Sequence, residues 1–343
     1  MTSDSVLQII PYDQLNDWDE FVELHPKGTI FHSVAMIRTL VSTKRHTPFA
    51  YAAVSGKGQI CALLVAVKIS TLGTWAGSFA ARSIFHAEPI YQDSPDGHDG
   101  IKLLLQKHDN VMKRSTLFSE IRPMFASPGD HDPFIKEDYQ KIGYYNYELD
   151  LAKPEERLFH DLDAKCRNNI RSSTRKKLVV REVEPANELE RFYAVVAESY
   201  HRAQVPLADV SLFSAAFREM PHPICRLFIA DYEGEVVSAA CFLAFKNRVV
   251  YWYAGAKRIP GVAGMASILW EAITKFSIEG YQCFDFCGAG WEGEEYGPGR
   301  FKAKFGGVRT NFGRYRRVYS PLKLKCANHV YQVLRGWISP TSS

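Results

Sequence analysis

The chain has 343 residues, of which 46% are hydrophobic, and a formal net charge of +4. This length and apolar content favour two domains with ordinary cores, and the small net charge argues against binding of nucleic acid through overall basicity. The seven cysteines contain no C-x-x-C pair, which argues against a disulfide framework or a zinc site.

No segment of the chain has the pattern of a membrane anchor. The first residues lack a basic stretch followed by an apolar one, and no apolar run reaches the ~18 residues of a membrane helix. We therefore expect a cytoplasmic protein with at most peripheral membrane contact. The segment 322–337 mixes basic and apolar residues and is predicted either to make that contact or to pack on the second domain.

The first half of the chain shows a strand hairpin, a helix and a further strand. The hairpin turns at a glycine-containing segment, 55–58, between two apolar runs. The predicted elements are, in chain order, strands at 49–54 and 58–68, a helix at 97–113 and a strand at 116–122.

The second half repeats this order. Between the halves, two amphipathic segments around 189–200 and 212–220 predict helices. Apolar residues within 265–276 then recur with the 3.6-residue period of another helix. The predicted elements of the repeat are strands at 226–231, 234–246 and 249–255, a helix at 264–278 and a strand at 282–287.

The repeated order predicts the fold. Antiparallel strands followed by a helix and another strand form the core of a GNAT-type (acyl-CoA N-acyltransferase) domain. We therefore expect an α/β (α+β) protein of two tandem GNAT-like domains, in which mixed, mostly antiparallel sheets are flanked by helices. The N-terminal domain would span residues 1–155 and the C-terminal domain residues 156–343. A chance likeness between two hairpins is the alternative.

Basic residues between 165 and 181 form the first candidate binding site. Arg167, Arg171 and Arg175 recur every four residues, so they would share one face of a helix. Guanidinium groups bind phosphate oxygens in pairs, and the stripe therefore suits a phosphate ligand. A solvated helix face is the alternative.

The second candidate is the segment 300–325, which carries nine basic residues and no carboxylate. Phe301 and Phe305 alternate with Lys302 and Lys304, so the aromatic rings would anchor the lysines in place. Nearby glycines let the backbone approach a ligand closely. This pattern predicts an anion-binding cradle, and a twisted basic hairpin on the surface is the alternative.

The third candidate is the loop before the helix at 264–278. Arg258, Gly261, Ala263 and Gly264 fit the R-x-x-G-x-G/A loop whose backbone N–H groups bind the pyrophosphate of acyl-CoA at a helix N-terminus. An ordinary helix-entry loop is the alternative. His32, by contrast, has no partner at metal spacing, and we expect it to be structural.

Several segments together resemble the FemABX family of peptidoglycan-bridge aminoacyltransferases. The likeness runs through 18–21 and 25–33 in the first half. In the second half it runs through 167–171 (R-N-N-I-R), 280–288 (G-Y-Q-C-F-D-F-C-G) and 301–307 (F-K-A-K-F-G-G). Two departures, His32 where the family usually has Gln and Met36 where it usually has Trp, bear on the peptidoglycan substrate.

The resemblance implies two GNAT-like domains with a cleft between them and transfer of an amino acid from aminoacyl-tRNA. The acceptor would be an amine on a nucleotide- or lipid-linked cell-wall precursor, and some relatives acylate sugars of surface polysaccharides instead. Phe301 and Lys302 match the family's Phe-Lys pair, and Lys302 would stabilise negative charge either on the tetrahedral intermediate or on acceptor phosphates. Arg38, Arg167 and Arg171 would bind acceptor phosphates.

We therefore predict acyl transfer to an amine or hydroxyl, without a metal, a covalent enzyme intermediate or a tightly bound cofactor. Asp285 is either the general base or a turn-capping residue. Trp252, Tyr253 and Lys304 are predicted to contact substrate, although core packing is the alternative for the two aromatic residues. The expected partners are a nucleotide- or lipid-linked sugar precursor and charged tRNA, not DNA.

Two other functions remain open at this stage. One is an acyl-CoA-dependent GNAT N-acetyltransferase that acts on a sugar precursor, which the loop at 258–264 supports. The other is a non-catalytic module that binds phosphate or RNA through the two basic segments.

Overall fold

The computed structural model describes residues 6–70, 81–126, 129 and 132–327. The chain forms two compact units. Unit 1 comprises the described residues up to Ile142 and those from Phe312 onward, and unit 2 comprises Gly143–Asn311. Most of the predicted segment 322–337 lies outside the described residues. No described helix combines the length and the apolar content that crossing a membrane requires.

Unit 1 begins with a short strand and two helices and continues with the predicted hairpin. Its elements up to residue 142 are β1 (Gln8–Pro11), α1 (Trp18–Leu24), α2 (Val34–Val41), β2 (His46–Val54), β3 (Ile60–Ile69), β4 (Arg82–Phe85), β5 (Ile90–Tyr91), α3 (Pro95–Met112), β6 (Phe118–Ile121), α4 (Pro133–Lys136) and β7 (Gln140–Ile142). Helix α3 begins at Pro95, two residues before the predicted start, because the Ser94 side chain caps it by accepting a hydrogen bond from the Gly97 N–H.

Unit 2 contains the second copy of the pattern, preceded by the predicted helical region. Its elements are β8 (Tyr144–Asp150), α5 (Glu155–Asp161), α6 (Ala164–Arg175), β9 (Val179–Val183), α7 (Pro185–Ala203), α8 (Val210–Glu219), β10 (Cys225–Tyr232), β11 (Glu235–Phe245), β12 (Arg248–Ala256), α9 (Gly264–Ile278), β13 (Cys283–Trp291), α10 (Gly297–Lys302) and β14 (Val308–Asn311).

Two strands exchange between the halves of the sequence. Strand β8 pairs with β13 and β14 in the sheet of unit 2, and a last strand, β15 (Arg314–Val318), returns to pair with β6 and β7 in unit 1. The division therefore differs from the predicted 1–155 and 156–343, because backbone hydrogen bonds place 144–150 in unit 2 and 314–318 in unit 1.

The described strands of each unit form one mixed sheet. The sheet of unit 1 has the order β1-β2-β3-β4-β6-β15-β7, with β5 beside β3, and that of unit 2 has the order β14-β8-β13-β12-β11-β10-β9. All neighbouring pairs are antiparallel except β4 with β6 and β12 with β13. Parallel neighbours need a crossover, which α3 and α9 provide, so the predicted duplicated order is confirmed.

Helix α9 shows why an element could be predicted from its apolar residues. Its apolar stripe, at Ile268, Leu269, Ala272, Ile273 and Phe276, is fully buried in the core of unit 2. Burying each large apolar side chain contributes about 1.5–3 kcal/mol. The helix spans Gly264–Ile278, as predicted.

Candidate functional site

The two parallel strands of unit 2 separate part-way along their length. Strands β12 and β13 pair from Arg248 with Cys283 to Val250 with Asp285. Beyond that point β12 continues to Ala256 and β13 to Trp291 without further pairing to each other. The strands thus leave a gap, as adjacent parallel strands do where ligands bind in open α/β sheets.

Bulges distort both strands at the gap. The register of β12 against β11 shifts at Trp252, and that of β13 against β8 shifts between Asp285 and Gly288. Cys287, within the second bulge, has a φ of 57°, in the left-handed region that non-glycine residues rarely adopt. Such bulges redirect backbone and side-chain groups next to functional sites.

The ammonium group of Lys302 lies at this gap. Its Nζ donates to the carbonyl oxygens of Gly288, at 2.7 Å, and Cys287, at 3.4 Å, on β13. It also lies 5.8 Å from the ring centroid of Tyr251 on β12. Lys302 is 9% exposed, and a buried ammonium needs such acceptors because its desolvation is costly. The prediction singled out this lysine, and the structure positions it between the two strands.

Helix α10 sets the direction of the Lys302 side chain. The prediction treated Phe301 to Phe305 as alternating, but the segment is helical, followed by a 3₁₀ turn at Ala303–Phe305. Phe301 and Phe305 therefore lie on one face, where their rings pack edge to face with centroids 5.3 Å apart, and they pack into the core of unit 2. Gly299 lets the helix approach β13, since a Cβ there would collide with the carbonyl oxygen of Ala289.

Asp285 is buried beneath the bulge of β13. One of its oxygens accepts from the Cys287 N–H at 2.7 Å and from the Asn146 side chain at 2.8 Å, and the other lies 3.0 Å from Arg248 Nη1. Arg248 also pairs with Glu148. Burial opposes the charge of Arg248, but Asp285 and Glu148 raise its pKa, whereas burial raises the pKa of the Glu148 carboxyl. Asp285 thus holds the turn whose carbonyl oxygen meets Lys302.

Trp252 and Tyr253 pack against the helices on one face of the sheet. The bulge turns both side chains to this face, where their rings lie 6.0 Å and 4.9 Å from that of Phe213 in α8. Tyr253 also lies 6.1 Å from Tyr200 in α7, where burial raises the pKa of Tyr200. Both residues remain partly exposed, so they combine core contacts with some accessible surface.

The predicted donor loop is covered by helix α6 and the residues that follow it. The Ala263 N–H donates to Ser173 Oγ at 2.8 Å, and the Val262 N–H donates to the Ile259 carbonyl oxygen. A Cβ at Gly261 would collide with Lys176 Nζ, and one at Gly264 with the Ser238 hydroxyl. Arg258 is exposed. Two N–H groups of the loop are therefore already bonded within the chain.

The predicted phosphate-binding residues are dispersed. Arg167 donates to the carbonyl oxygens of His160, at 2.6 Å, and Leu162, and so caps α5. Arg171 lies 5.0 Å from the ring centroid of Phe159. Lys304 is half-buried, and its carbonyl oxygen accepts from the Asp163 N–H at the start of α6. Arg38 is exposed on α2 of unit 1. The stripe on α6 therefore does not present all its arginines to one ligand.

Unit 1 holds a buried arrangement that imitates a catalytic triad. Ser83 Oγ lies 2.9 Å from His108 Nε2, and His108 Nδ1 lies 3.0 Å from Asp109. Ser83 and His108 have no exposed surface, and Asp109 also binds Tyr139, Tyr319 and Arg317. A nucleophile must reach its substrate, so this network is structural. Among the described residues, no cluster of His, Cys, Asp and Glu is arranged to hold a metal ion.

Comparison with known proteins agrees with this geometry. Residues 164–302 match the Acetyltransferase (GNAT) domain family, and no curated protein sequence matches the chain. The solved structure of FemX superimposes with a TM-score of 0.67 over 94% of this chain and 100% of FemX, at 12% identity. The chain has the tandem GNAT fold of FemX. Its GNAT domain makes it an acyltransferase, so the predicted fold class and the predicted enzyme class are confirmed.

Two further solved structures share the fold. A tandem GNAT protein from the clavulanic acid biosynthesis pathway gives a TM-score of 0.57, with 12% identity over 92% of this chain and 99% of its own. The L-PGS structure from Bacillus licheniformis gives 0.54, with 12% identity over 94% and 97%. At such identities the likeness to FemX and to these proteins is one of fold.

Proposed function

We propose that this FemX-like protein transfers an acyl or aminoacyl group to an amine or hydroxyl of a nucleotide- or lipid-linked cell-envelope precursor in the cytoplasm. The observation that supports this proposal is the ammonium of Lys302 at the gap between β12 and β13. Acyl transfer passes through a tetrahedral intermediate whose oxygen is negatively charged, and a preorganised cation lowers the energy of that state.

The proposed reaction needs no covalent enzyme intermediate. The acceptor nitrogen or oxygen attacks the acyl carbonyl carbon and forms a new bond, while the carbon–oxygen bond to the donor breaks. The leaving hydroxyl takes up a proton, and the acceptor releases one. Lys302 stabilises the charge between these steps. Asp285 acts as a positioning residue, because its carboxylate already accepts from Cys287, Asn146 and Arg248.

The donor that we propose is an aminoacyl-tRNA. An acyl-CoA donor requires the N–H groups of the loop before α9 to bind pyrophosphate, and the Ala263 N–H is bonded to the buried hydroxyl of Ser173. Beside the loop, Arg175, Lys176 and Lys177 are exposed and suit the phosphate backbone of a nucleic acid. Acyl-CoA remains the second candidate, because the GNAT domain match is to an acetyltransferase family.

A donor assay tests this proposal. The purified protein is incubated with amine-bearing UDP-linked precursors and either a mixture of labelled aminoacyl-tRNAs or acetyl-CoA, and products are detected by mass spectrometry. We expect transfer from aminoacyl-tRNA only. Release of free CoA thiol in step with acetylated product would contradict the proposed donor and favour the second candidate.

A matched variant sharpens the donor assay. Ser173→Ala frees the Ala263 N–H and removes one internal hydrogen bond, which costs about 1 kcal/mol of stability. If acyl-CoA is the donor, this variant should bind acetyl-CoA more tightly than the wild type. If aminoacyl-tRNA is the donor, acetyl-CoA should raise the melting temperature of neither protein.

A further inference from the structure

Three arginines meet at one buried carboxylate in unit 1, and we call Arg122, Arg314 and Arg316 the arginine cluster. Glu120 on β6 is in register with Ile84 on β4 and Arg316 on β15. Arg314 and Arg316 are two apart on β15 and therefore share a face of the sheet. Arg122 directly follows the last residue of β6, and its N–H donates to the Phe85 carbonyl oxygen at the end of β4. Two members of the cluster thus lie on a strand, and the third lies at the end of the neighbouring strand.

Glu120 is the common acceptor of the cluster. It accepts from Arg122 Nε at 2.9 Å, from Arg314 Nη1 at 3.0 Å and from both Nε, at 3.2 Å, and Nη2 of Arg316. Burial opposes the charge of Glu120, but the three arginines outweigh this effect and lower its pKa to about 2. A carboxylate offers about four lone-pair sites, and four guanidinium N–H donors occupy those of Glu120.

The surroundings of the cluster are positively charged. His86 follows β4 beside it, and burial lowers the pKa of His86 to about 3, assisted by Arg122, His46, Arg82 and Arg314. Each of these four neighbours is a basic residue. The imidazole stays neutral at pH 7, because a further positive charge there is unfavourable.

The cluster is accessible to a ligand. The side chains of Arg122, Arg316 and Arg314 are 34%, 28% and 16% exposed, whereas that of Glu120 is 3% exposed. Arg122 reaches Glu120 through Nε alone, and within the described residues no hydrogen bond involves its two Nη groups. These two groups form a fork that matches a pair of phosphate oxygens.

We propose that the arginine cluster binds the diphosphate group of a phosphorylated ligand. The three guanidinium groups carry three positive charges, and Glu120 offsets only one of them. A ligand with several negative charges would offset the rest. If the proposed function holds, this ligand is the acceptor, and the cluster holds its diphosphate in unit 1. The same chemistry occurs in a soluble nucleoside diphosphate sugar and in a polyisoprenyl diphosphate.

Calorimetric titration of the whole protein with inorganic pyrophosphate tests the site. We expect Arg122→Gln to weaken binding at least tenfold, since it removes the exposed fork but leaves Glu120 paired with Arg314 and Arg316. Arg122→Lys keeps the charge without the fork and should fall between the wild type and Arg122→Gln. Arg114→Gln, at an exposed position of the same unit, should bind like the wild type.

A second variant should change affinity in the opposite direction. Glu120→Gln removes the carboxylate that competes with the ligand for the same guanidinium groups, so we expect pyrophosphate to bind several-fold more tightly. A diffuse surface charge would give the same gain when an exposed carboxylate of the same unit is removed by Asp99→Asn, whereas the proposed site should not respond to that variant. Absence of pyrophosphate binding by the wild type at millimolar concentration, or equal weakening by Arg114→Gln and Arg122→Gln, would overturn the proposal.

Two further experiments distinguish a soluble from a lipid-linked source of the diphosphate. UDP-sugars should displace pyrophosphate if the ligand is soluble, and vesicles with a polyisoprenyl diphosphate should sediment the protein if it is lipid-linked. Arg122→Gln should lose whichever binding the wild type shows. Because no arm contains an acyl donor, pyrophosphate binding without turnover in the donor assay would refute the proposed function alone, and turnover without pyrophosphate binding would refute this site alone.

Discussion

The two units place different side chains at the end of the same pair of parallel strands. In unit 2 the ammonium of Lys302 bonds to β13 and lies beside Tyr251 of β12. In unit 1, β4 and β6 stop pairing after Phe85 and Ile121, and the carboxylate of Glu88 accepts from the Met124 N–H at 2.8 Å. The ammonium of Lys302 has the sign that stabilises a developing oxyanion, whereas the Glu88 side chain accepts a backbone hydrogen bond. The two openings of the duplicated fold therefore present different groups, and in our proposal only that of unit 2 serves acyl transfer.

The contacts around the opening in unit 1 are structural rather than catalytic. His32, which stands where the FemABX pattern has glutamine, is 1% exposed, and its Nε2 lies 2.8 Å from the Glu88 carbonyl oxygen. Its Nδ1 accepts from the Thr29 N–H. The predicted structural role of His32 is confirmed by these bonds. Beside the opening lies a cavity of about 820 Å³ with walls that include Leu24 and Phe134, which suits binding of an apolar group.

Replacing Lys302 and Glu88 in turn is the strongest test of this comparison. We expect Lys302→Ala to lower kcat by roughly 10²–10³-fold, as loss of one oxyanion donor does in other enzymes. Glu88→Gln keeps the oxygen that accepts from Met124 and should change kcat by less than about threefold. Steady-state kinetics with the donor identified above measures both, with circular dichroism as the folding control.

The reverse ranking would remove the basis of the comparison. If Glu88→Gln abolished turnover while Lys302→Ala retained it in a folded protein, catalysis would belong to unit 1. Lys302→Arg sharpens the result, because arginine keeps the charge but cannot place it at the same distance from the carbonyl oxygens of Cys287 and Gly288.

Removing the charge of Asp285 should have the next largest effect. Asp285→Asn leaves Arg248 with Glu148 alone and weakens the bond to the Cys287 N–H, so we expect a loss of about 3 kcal/mol in the free energy of unfolding. Asp150→Asn, on the neighbouring strand, keeps its bond to the Ala152 N–H and should cost less than about 0.5 kcal/mol. Urea denaturation compares the two variants.

The pH profile of Asp285→Asn separates positioning from proton transfer. A positioning residue leaves the shape of the kcat profile unchanged while its height falls. Loss of the acidic limb in Asp285→Asn would instead identify Asp285 as the general base, the other role that the sequence allowed.

The sequence predicted features that depend on local periodicity and missed those that depend on distant pairing. Helix α9 was predicted within its bounds because its apolar stripe repeats with the period of a helix. The exchange of β8 and β15 between the units was missed, since strand pairing across more than a hundred residues leaves no local signal. The same limit hid Arg248 and Glu148, which form an ion pair across strands that are far apart in sequence.

The catalytic role of Lys302 stays a prediction, and two features of the sequence led to it. Aromatic and basic residues alternate around it, and Phe301 and Lys302 match the Phe-Lys pair of the FemABX resemblance. The segment is helical, and Phe301 and Phe305 share a face because they are four residues apart. Tyr251 and the bulge at Cys287 gave no signal, because a left-handed cysteine and its exposed carbonyl oxygen follow from register shifts in β13.

The smallest predicted effect probes the cationic surroundings of unit 1. Burial and nearby cations hold the pKa of His86 at about 3 in the folded protein, against about 6.5 when unfolded. Below pH 6.5 the unfolded chain therefore binds a proton at His86 and the folded chain does not. The free energy of unfolding then falls by about 1.4 kcal/mol per pH unit. His86→Phe keeps the stacking on Phe31 but has no group to titrate. Urea denaturation at pH 6.5 and pH 5 should show a loss about 2 kcal/mol larger in the wild type than in this variant. Equal losses would mean that His86 takes up its proton as readily in the folded protein as in the unfolded chain, which would contradict the lowered pKa.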